Sequence, residues 1–399
     1  MIAIFIAPFY LLVCGYILTR FFKTAACCHS YADKKRIKIP ATVLFGILAF
    51  SPLIAFFLPY HTTARKIAQL VNAYWFGAIL YILLITVISQ LISLFLRRVI
   101  KVVPNDFFKR KKVSCVCLFL SLITVLSVCG YGFYNARNIQ LSEYSVSINK
   151  NAGNIKKLKI ALIADLHIGY SIGLDHIKKT VEMVNSQKPD LVCIAGDIYD
   201  NDFNAIQDPD AIANELAKMK STYGSYACWG NHDVDEKILA GFTFGGDKTY
   251  SRSRDIEDFM KKANIKTLSD ETVLVNNSFY IAGRLDSSKP VTDSGERKTP
   301  DELLKNLDKS KPVVVLYHEP DQLEELSKAG TDLLLCGHTH DGQLFPGNIV
   351  TRLKWENAAG YLKKGDMHNI VTSGVGVWGP FMRVGTIAEV VSINVTFSK

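Results

Sequence analysis

Four long apolar segments dominate the first third of the chain, and shorter apolar runs alternate with polar stretches in the rest. The long segments cover residues 2–18, 41–59, 71–96 and 113–134. Each is close to the roughly 20 residues that a helix needs to cross a bilayer. None has a charged residue or a histidine in its middle, which disfavours a transporter, because ion and proton pathways need such groups. The pattern predicts a transmembrane region with four helices over residues 1–135.

The distribution of charge predicts how this region is oriented. Residues 1–140 hold sixteen Lys or Arg and only Asp33 and Asp106, so the rest of the chain carries a net charge of −5. Most of these basic residues lie in the first and third loops, which the positive-inside rule places in the cytoplasm. We therefore expect a multi-pass protein of the cell membrane whose remaining part, after residue 135, is extracytoplasmic. Since the basic excess flanks apolar segments, we expect a lipid bilayer and no nucleic acid as partner.

From residue 158 onward, apolar runs of strand length alternate with amphipathic stretches of helical period. This alternation predicts a mixed α/β fold, with two packed sheets flanked by helices. We expect the folded domain to cover residues 158–399. Residues 136–157 are polar and rich in Asn, and they are predicted to form a linker.

Five of the predicted strands end in Asp, His or Asn, residues that bind metal ions through N and O. In chain order the clusters are Asp165-Leu166-His167, Gly196-Asp197, Gly230-Asn231-His232-Asp233, His318 and Gly337-His338-Thr339-His340. Ligands of open α/β sheets collect at the carboxyl ends of the strands, so these clusters can converge. A single cluster is explained equally well by a turn or a cap. Together they predict a metal site.

The last cluster sets a geometric condition. Histidines at i and i+2 of an extended segment face opposite sides. His338 and His340 can therefore both bind only if the backbone turns between them or if two metal ions lie on different sides of the segment.

The ordered set of clusters resembles the signature of the calcineurin-like metallophosphoesterases, over about residues 158–395. Further motifs are similar to a membrane-bound bacterial branch that includes the transmembrane proteins with a metallophosphoesterase domain. These are Tyr-His-Glu-Pro-Asp at 317–321, Gly-His-Thr-His-Asp-Gly-Gln at 337–343 and Ser-Gly-Val-Gly-Val-Trp-Gly-Pro at 373–380. The resemblance implies a four-layer α/β/β/α sandwich after the four-helix transmembrane region.

The resemblance also implies a site with two divalent metal ions. One ion would be held by Asp165, His167, Asp197 and His340, and the second by Asp197, Asn231, His318 and His338, with Asp197 bridging. Their N and O donors suit Mn, Fe or Zn and do not choose among them. Two such ions can activate a water as hydroxide for attack on phosphorus. His232 would then protonate the leaving group, and Asp233 would orient its imidazole.

The leading hypothesis is a membrane-anchored phosphoesterase that hydrolyses a phosphate ester or diphosphate, with a lipid-linked substrate suggested by the anchor alone. Two alternatives stay open. A non-catalytic sensor or scaffold is disfavoured by the complete ligand set, and an extracellular nuclease is disfavoured by the net charge after residue 140. Asp341 stands where the branch shows Gly, and it would either reshape the loop or hydrogen-bond His340. Trp378 and Arg383 are candidates for the rim of the substrate pocket, with a structural role for Arg383 equally open.

Overall fold

The computed structural model describes residues 2–236, 238–239, 242–243, 250–291 and 296–398. The chain forms two compact units. The first contains Met1–Tyr134 together with the short segments Ile238–Gly246 and Gly379–Met382. The second contains Asn135–Lys237, Asp247–Trp378 and Arg383–Lys399.

The first unit is built from apolar helices. Their bounds are α1 Ile2–Cys28, α2 Lys35–Ala49, α3 Ser51–Phe57, α4 Thr63–Leu94 and α5 Lys111–Asn135. Three helical stretches are long and apolar enough to cross a membrane, namely Ala7–Cys28, Thr63–Val99 and Lys111–Asn135. The number rises to 4 if the bent pair formed by α2 and α3 is one span. Several helices at the amino-terminal end could therefore span a membrane.

The apolar segment 41–59 is not one straight helix, because α2 and α3 are bent by 53° at a break between them. Pro52 lies in the first turn of α3. A proline has no backbone N–H and its ring clashes with the preceding helical turn, so it is tolerated at a helix start and breaks a helix interior. The helix therefore ends at Ala49 and a new one begins at Ser51.

A chain of hydrogen bonds ties three of these helices together. Trp75 Nε1 of α4 donates to the Tyr10 hydroxyl of α1 at 2.8 Å, and this hydroxyl donates to the carbonyl of Ala49 in α2 at 2.9 Å. Cys14, Ile17 and other apolar side chains surround the contact. The polar atoms of both aromatic residues are thereby satisfied inside an apolar setting, as buried Tyr and Trp require.

The second unit holds most of the strands, which we number along the whole chain together with the remaining helices. The strands are β1 Ile139–Ile148, β2 Lys157–Ile163, β3 Leu191–Ala195, β4 Ser225–Cys228, β5 Ile238–Leu239, β6 Phe242–Thr243, β7 Ile265–Thr267, β8 Glu271–Val275, β9 Phe279–Gly283, β10 Val313–Leu316, β11 Leu333–Cys336, β12 Gly360–Lys364, β13 Met367–Val371 and β14 Ala388–Phe397. The helices are α6 Leu174–Ser186, α7 Pro209–Leu216, α8 Arg254–Lys262, α9 Pro300–Leu304, α10 Leu323–Lys328 and α11 Gly347–Lys354. The hairpin of β5 and β6 belongs to the first unit.

Two six-stranded sheets form the centre of the second unit, and their strand orders are β1-β14-β2-β3-β4-β7 and β12-β13-β11-β10-β9-β8. One apolar core contains fully buried side chains from both sheets, among them Leu162 and Leu335. A second core joins the other face of the second sheet to α9 and α10 through Leu304 and Leu326. Helix α6 packs on β1 and β14. The architecture is the expected α/β/β/α sandwich.

The strand directions bring the polar clusters to one edge of each sheet. In the first sheet β2, β3 and β4 are parallel neighbours. In the second sheet β9, β10, β11 and β13 are parallel neighbours. Neighbouring parallel strands end on the same side, so the residues that follow them can meet at the carboxyl ends.

The segment predicted to be a linker, 136–157, instead contains the edge strand β1. This strand pairs in parallel with β14 over its whole length, from Ile139 opposite Ala388 to Ile148 opposite Phe397. Tyr144, Val146 and Ile148 alternate with serines, and burial along the strand alternates with them. A strand with one solvated face has few apolar residues, which is why its composition suggested a linker.

We predict that Leu333→Ala in β11 destabilises the second unit, because Leu333 is fully buried between the sheets. A buried Leu replaced by Ala typically lowers the free energy of unfolding by about 2–5 kcal/mol. Urea unfolding of the full chain in detergent, followed by tryptophan fluorescence, measures the loss. The matched control is Leu274→Ala in β8, where the side chain is exposed. Equal unfolding midpoints for the two variants would contradict the assigned core.

Candidate metal centre

Sharp backbone turns aim the predicted ligands into one space. Five of the seven have positive φ: Asp165, His167, Asp197, His338 and His340. Non-glycine residues rarely adopt this left-handed conformation, and it concentrates at functional sites where the surrounding fold enforces it. The turns follow β2, β3 and β11 directly, so the sheets position the side chains that leave them.

A first group of donors forms around His340. Its Nε2 lies 3.1 Å from Nε2 of His167 and 3.5 Å from Oδ1 of Asp165. Asp165, His167 and His340 are all buried, and their ligand atoms lie within 4.8 Å of one another. Two imidazole nitrogens and a carboxylate oxygen in this arrangement can hold a metal ion.

A second group forms around His318. Its Nε2 lies 3.0 Å from Oδ2 of Asp197 and 3.1 Å from Oδ1 of Asn231. His338 joins through Nδ1, which is 2.9 Å from the same Asn231 oxygen. His338 and His340 thus lie in different groups, and the backbone turns at both residues. The first of the two alternative conditions set out from the sequence, a backbone turn between the histidines, is therefore met.

Asp197 lies between the two groups. Its Oδ2 is 3.0 Å from His318 Nε2 and 3.6 Å from His167 Nε2. Oδ1 accepts a hydrogen bond from the backbone N–H of His232 at 2.8 Å. This is the position that a bridging carboxylate would need.

The donor set fits a divalent cation. His318 Nδ1 lies 2.8 Å from the carbonyl oxygen of Ala195, so Nδ1 carries the proton in the neutral ring. The lone pair of Nε2 then converges with the oxygens of Asp197 and Asn231. Converging lone pairs repel one another unless a proton or a cation lies among them, and N and O donors suit Mn, Fe or Zn.

Burial and charge set the protonation of these groups. Burial alone would raise the pKa of Asp197, but the charges of His318 and His232 hold that pKa well below its ordinary value. Burial lowers the pKa of His338 to about 3, and burial also holds the pKa of His340 well below its ordinary value. At neutral pH these two rings are uncharged and Asp197 is ionised, as metal binding requires.

The pKa values of Asp165 and of the central His318 are both raised, for different reasons. Burial raises the pKa of Asp165 to about 6. For His318, burial lowers the pKa, but Asp197 outweighs burial and holds the pKa well above its ordinary value. The raised pKa of His318 shows that the neighbouring carboxylates favour positive charge at this position.

The sequence led us to expect that Asp233 orients the His232 imidazole, but the contacts of Asp233 are elsewhere. Its Oδ1 accepts the backbone N–H of Ile198 at 2.7 Å and that of Tyr199 at 3.2 Å, and Oδ2 accepts the N–H of Gly230 at 2.7 Å. The carboxylate is completely buried and its oxygens are engaged by the backbone. Asp233 therefore ties the turn after β3 to the turn after β4.

Two side chains that the sequence analysis missed, Asp200 and Asn201, face Nδ1 of the His232 imidazole. Asp200 Oδ1 lies 3.1 Å from His232 Nδ1 and 3.6 Å from His167 Nδ1. Burial would raise the pKa of Asp200, but hydrogen bonding to His167 and His232 holds that pKa below its ordinary value. The signal in the sequence was a second carboxylate three residues after Asp197, in Gly-Asp-Ile-Tyr-Asp.

Two further residues are placed by their contacts. Arg383 is completely buried and is not at a rim. Its guanidinium donates to the carbonyls of Ser373, Gly374 and Gly376, and Nη2 lies 3.2 Å from Nδ1 of His340. It therefore fixes the loop at 373–376 and the His340 ring together. Trp378 is partly exposed, and its ring centroid lies 6.0 Å from that of His232.

Asp341 pairs with Arg352 of α11, with Nη2 to Oδ2 at 3.1 Å and Nε to Oδ1 at 3.3 Å. Of the two roles considered for Asp341, the contact supports a shaped loop, because the His340 Nδ1 atom faces Arg383. The paired guanidinium and carboxylate join the metal-ligand turn to the helix that follows it.

Comparison with known proteins identifies the family to which the chain belongs. The family described as calcineurin-like phosphoesterase matches residues 158–342. A metallophosphoesterase of Campylobacter jejuni is 31% identical over 70% of this chain and 70% of its own length. The transmembrane protein with metallophosphoesterase domain of Danio rerio is 27% identical over 69% of this chain and 61% of its own. The phosphodiesterase YaeI of Escherichia coli is 28% identical over 63% and 88%. The chain belongs to the calcineurin-like phosphoesterase family.

Proposed function

We propose that the chain is a membrane-anchored phosphoesterase that hydrolyses phosphate ester or diphosphate bonds with the help of two divalent metal ions. The observation that carries the proposal is that a histidine from each group approaches the buried carboxylate of Asp197, with Oδ2 at 3.0 Å from His318 Nε2 and at 3.6 Å from His167 Nε2. The family supports a hydrolase acting on phosphoesters, because its model covers all seven residues of the proposed ligand set.

The proposed ligands divide between the two groups. Asp165, His167, Asp197 and His340 would hold one ion, and Asp197, Asn231, His318 and His338 would hold the other. Bound ions of this kind acidify water and neutralise charge on a phosphoryl oxygen. The chain fixes the donors before binding: the backbone N–H of His338 donates to Asp165 Oδ1 at 3.0 Å, and that of His232 to Asp197 at 2.8 Å.

His232 would supply the proton for the leaving oxygen. Its side chain retains some exposure, whereas that of His167 is almost completely buried, so a substrate can reach the His232 ring. With Nδ1–H donated to the Asp200 carboxylate, Nε2 is the atom free to protonate the leaving group. Asp200 would orient the His232 ring through this contact, so the two residues act as a pair.

The membrane arrangement belongs to the same proposal. We assign residues 1–135 to the membrane region and residues 158–399, extended by β1, to the phosphoesterase domain. If α2 and α3 form one bent span, the chain crosses the bilayer four times and residues after 135 lie on the same side as the amino terminus. The basic first and third loops favour the cytoplasm for those loops and the outside for the catalytic domain. A substrate held in the membrane is within reach of such an enzyme.

We predict that Asp197→Asn lowers kcat/KM for p-nitrophenyl phosphate mono- and diesters at least about 100-fold, since metal ions contribute several kcal/mol to such reactions. The full chain in detergent, with Mn added or with chelator, is the sample. Metal content measured by mass spectrometry should fall in the variant. The matched control is Asp175→Asn, whose side chain is fully open to solvent on α6. Turnover that persists in chelator or in Asp197→Asn would overturn the enzyme assignment.

We predict that the effect of His232→Ala depends on the leaving group. With an ester of a poor leaving group, such as methanol, the loss should be about 100-fold or more, because proton donation is then required. With p-nitrophenol, which leaves as an anion, the loss should be much smaller. Asp200→Asn should show the same dependence to a lesser degree, and adding it to His232→Ala should cost little more.

Asp210→Asn, on the exposed side of α7, is the control for that pair. A loss in His232→Ala that is equal for both leaving groups would contradict the role of His232 as proton donor. Fully additive losses in the double variant would contradict the pairing with Asp200.

We predict that alkaline phosphatase fused after residue 140 is active in a bacterial host, because the fusion point lies outside the cytoplasm, and that green fluorescent protein fused there does not fluoresce. An alkaline phosphatase fusion and a green fluorescent protein fusion at the same point give opposite signals and serve as mutual controls. Removing the basic residues of the third loop, 97–112, should weaken the orientation, because this loop carries the positive-inside signal. A fusion that fluoresces and has no phosphatase activity would contradict the extracytoplasmic placement.

A further inference from the structure

An apolar surface on the phosphoesterase domain has no function in the mechanism above. It is formed by α11, with Ile349 51% exposed, Val350 65% and Leu353 84%. No residue of α11 is buried. Large apolar side chains exposed singly are ordinary, but a contiguous group marks an interaction site. The other exposed large apolar side chains in the described part of the second unit are Leu141, Leu274, Phe345, Tyr361 and Trp378.

Helix α11 is held firmly beside the proposed metal centre. It follows the turn His340–Gly342 by only a few residues. Arg352 on its last turn pairs with Asp341, as described above. Trp355, directly after the helix, has its ring centroid 5.3 Å from that of His338. The exposed face of α11 is therefore packed next to the turn at residues 338–342, and a partner of this face would lie close to that turn.

The charges around the face indicate what it contacts. Residues 345–355 include Arg352 and Lys354 and have no acidic side chain. Lys354 Nζ lies 4.5 Å from the centroid of the Trp355 ring. An apolar helix face bordered by cations and an aromatic ring is typical of helices that lie in the interface of a bilayer with anionic lipids.

A bilayer is a partner that the chain's own helices can bring close to α11. The amino-terminal helices are long and apolar enough to span a membrane. A helix of eight residues binds a membrane weakly by itself, but a tether makes the second contact intramolecular and raises its effective concentration. A bilayer is therefore the partner that this short surface fits.

We propose that α11 inserts its apolar face into the lipid–water interface of the membrane that the chain's own helices span, and so presents the metal centre to an amphiphilic phosphoester. The substrate class is then a lipid whose phosphate ester or diphosphate lies at headgroup depth. The substrate part of this inference rests on the proposed function, and the membrane contact does not.

Photocrosslinking tests the contact without any hydrolysis. The full chain is reconstituted in vesicles of phosphatidylcholine with phosphatidylglycerol, and a benzophenone amino acid replaces Leu353. After irradiation, mass spectrometry should find lipid attached at this position. The matched control has the benzophenone in place of Tyr361, which is exposed on the edge strand β12. Crosslinks from position 353 to protein, or lipid adducts no more frequent than at 361, would overturn the docking surface.

Hydrolysis tests the substrate class. The probes are ethyl p-nitrophenyl phosphate in solution and hexadecyl p-nitrophenyl phosphate in the same vesicles, which share the reacting group. The variant combines Ile349→Ser, Val350→Ser and Leu353→Ser, and the control combines Leu141→Ser and Leu274→Ser. We expect the first variant to lose at least about tenfold on the hexadecyl ester, equivalent to about 1.4 kcal/mol, and to retain turnover of the ethyl ester.

The outcomes separate the two proposals. If neither ester is hydrolysed by the unmodified chain, the proposed function fails, and the crosslinking result alone decides the membrane contact. If the α11 variant hydrolyses both esters at the rates of the unmodified chain, the lipid-presenting role is wrong and the phosphoesterase assignment is retained. Circular dichroism of both variants confirms that any loss is not caused by unfolding.

Discussion

The centre of the second unit depends on keeping one carboxylate charged inside the protein. Asp197 is 2% exposed. An isolated carboxylate at that depth costs several kcal/mol, so it persists only among groups that offset the charge. A backbone N–H engages one oxygen, and His318 and His167 approach the other. Divalent cations would complete the set, which couples metal binding to the stability of the fold.

The two sheets make this arrangement possible because they hold backbone turns that would not persist alone. Each left-handed non-glycine residue costs of order 1–3 kcal/mol, and five of them surround the site. The strands behind them are buried on both faces, so the turns have rigid ends. The buried Asp233 accepts hydrogen bonds from loop N–H groups, and the buried Arg383 donates hydrogen bonds to loop carbonyls. The stability of the packed sheets thus offsets the cost of the strained turns that position the donors at the edge of the sheets.

The sequence was informative where one strand ends in one polar cluster. The apolar runs before three of the clusters form the strands β2, β3 and β11, and the polar residues after these strands are those that converge. It was uninformative where a role depends on which neighbour a side chain faces. Asp200 and Asp233 both follow strands, and only the folded turns decide which of them faces His232. Strand β1 was missed because a strand with one solvated face looks polar.

The segment from His338 to Trp355 combines two opposite demands. Its first residues are buried polar donors in strained turns, and its later residues present an exposed apolar face. Two contacts join the halves, Asp341 with Arg352 and His338 with Trp355. Both contacts are made at the carboxyl-terminal end of α11, so this end of the helix is packed against the turn that carries His338 and Asp341. One stretch of chain thus joins the donors His338 and His340 to the exposed face of α11, and Asp341, where the similar branch shows Gly, makes one of the contacts between them.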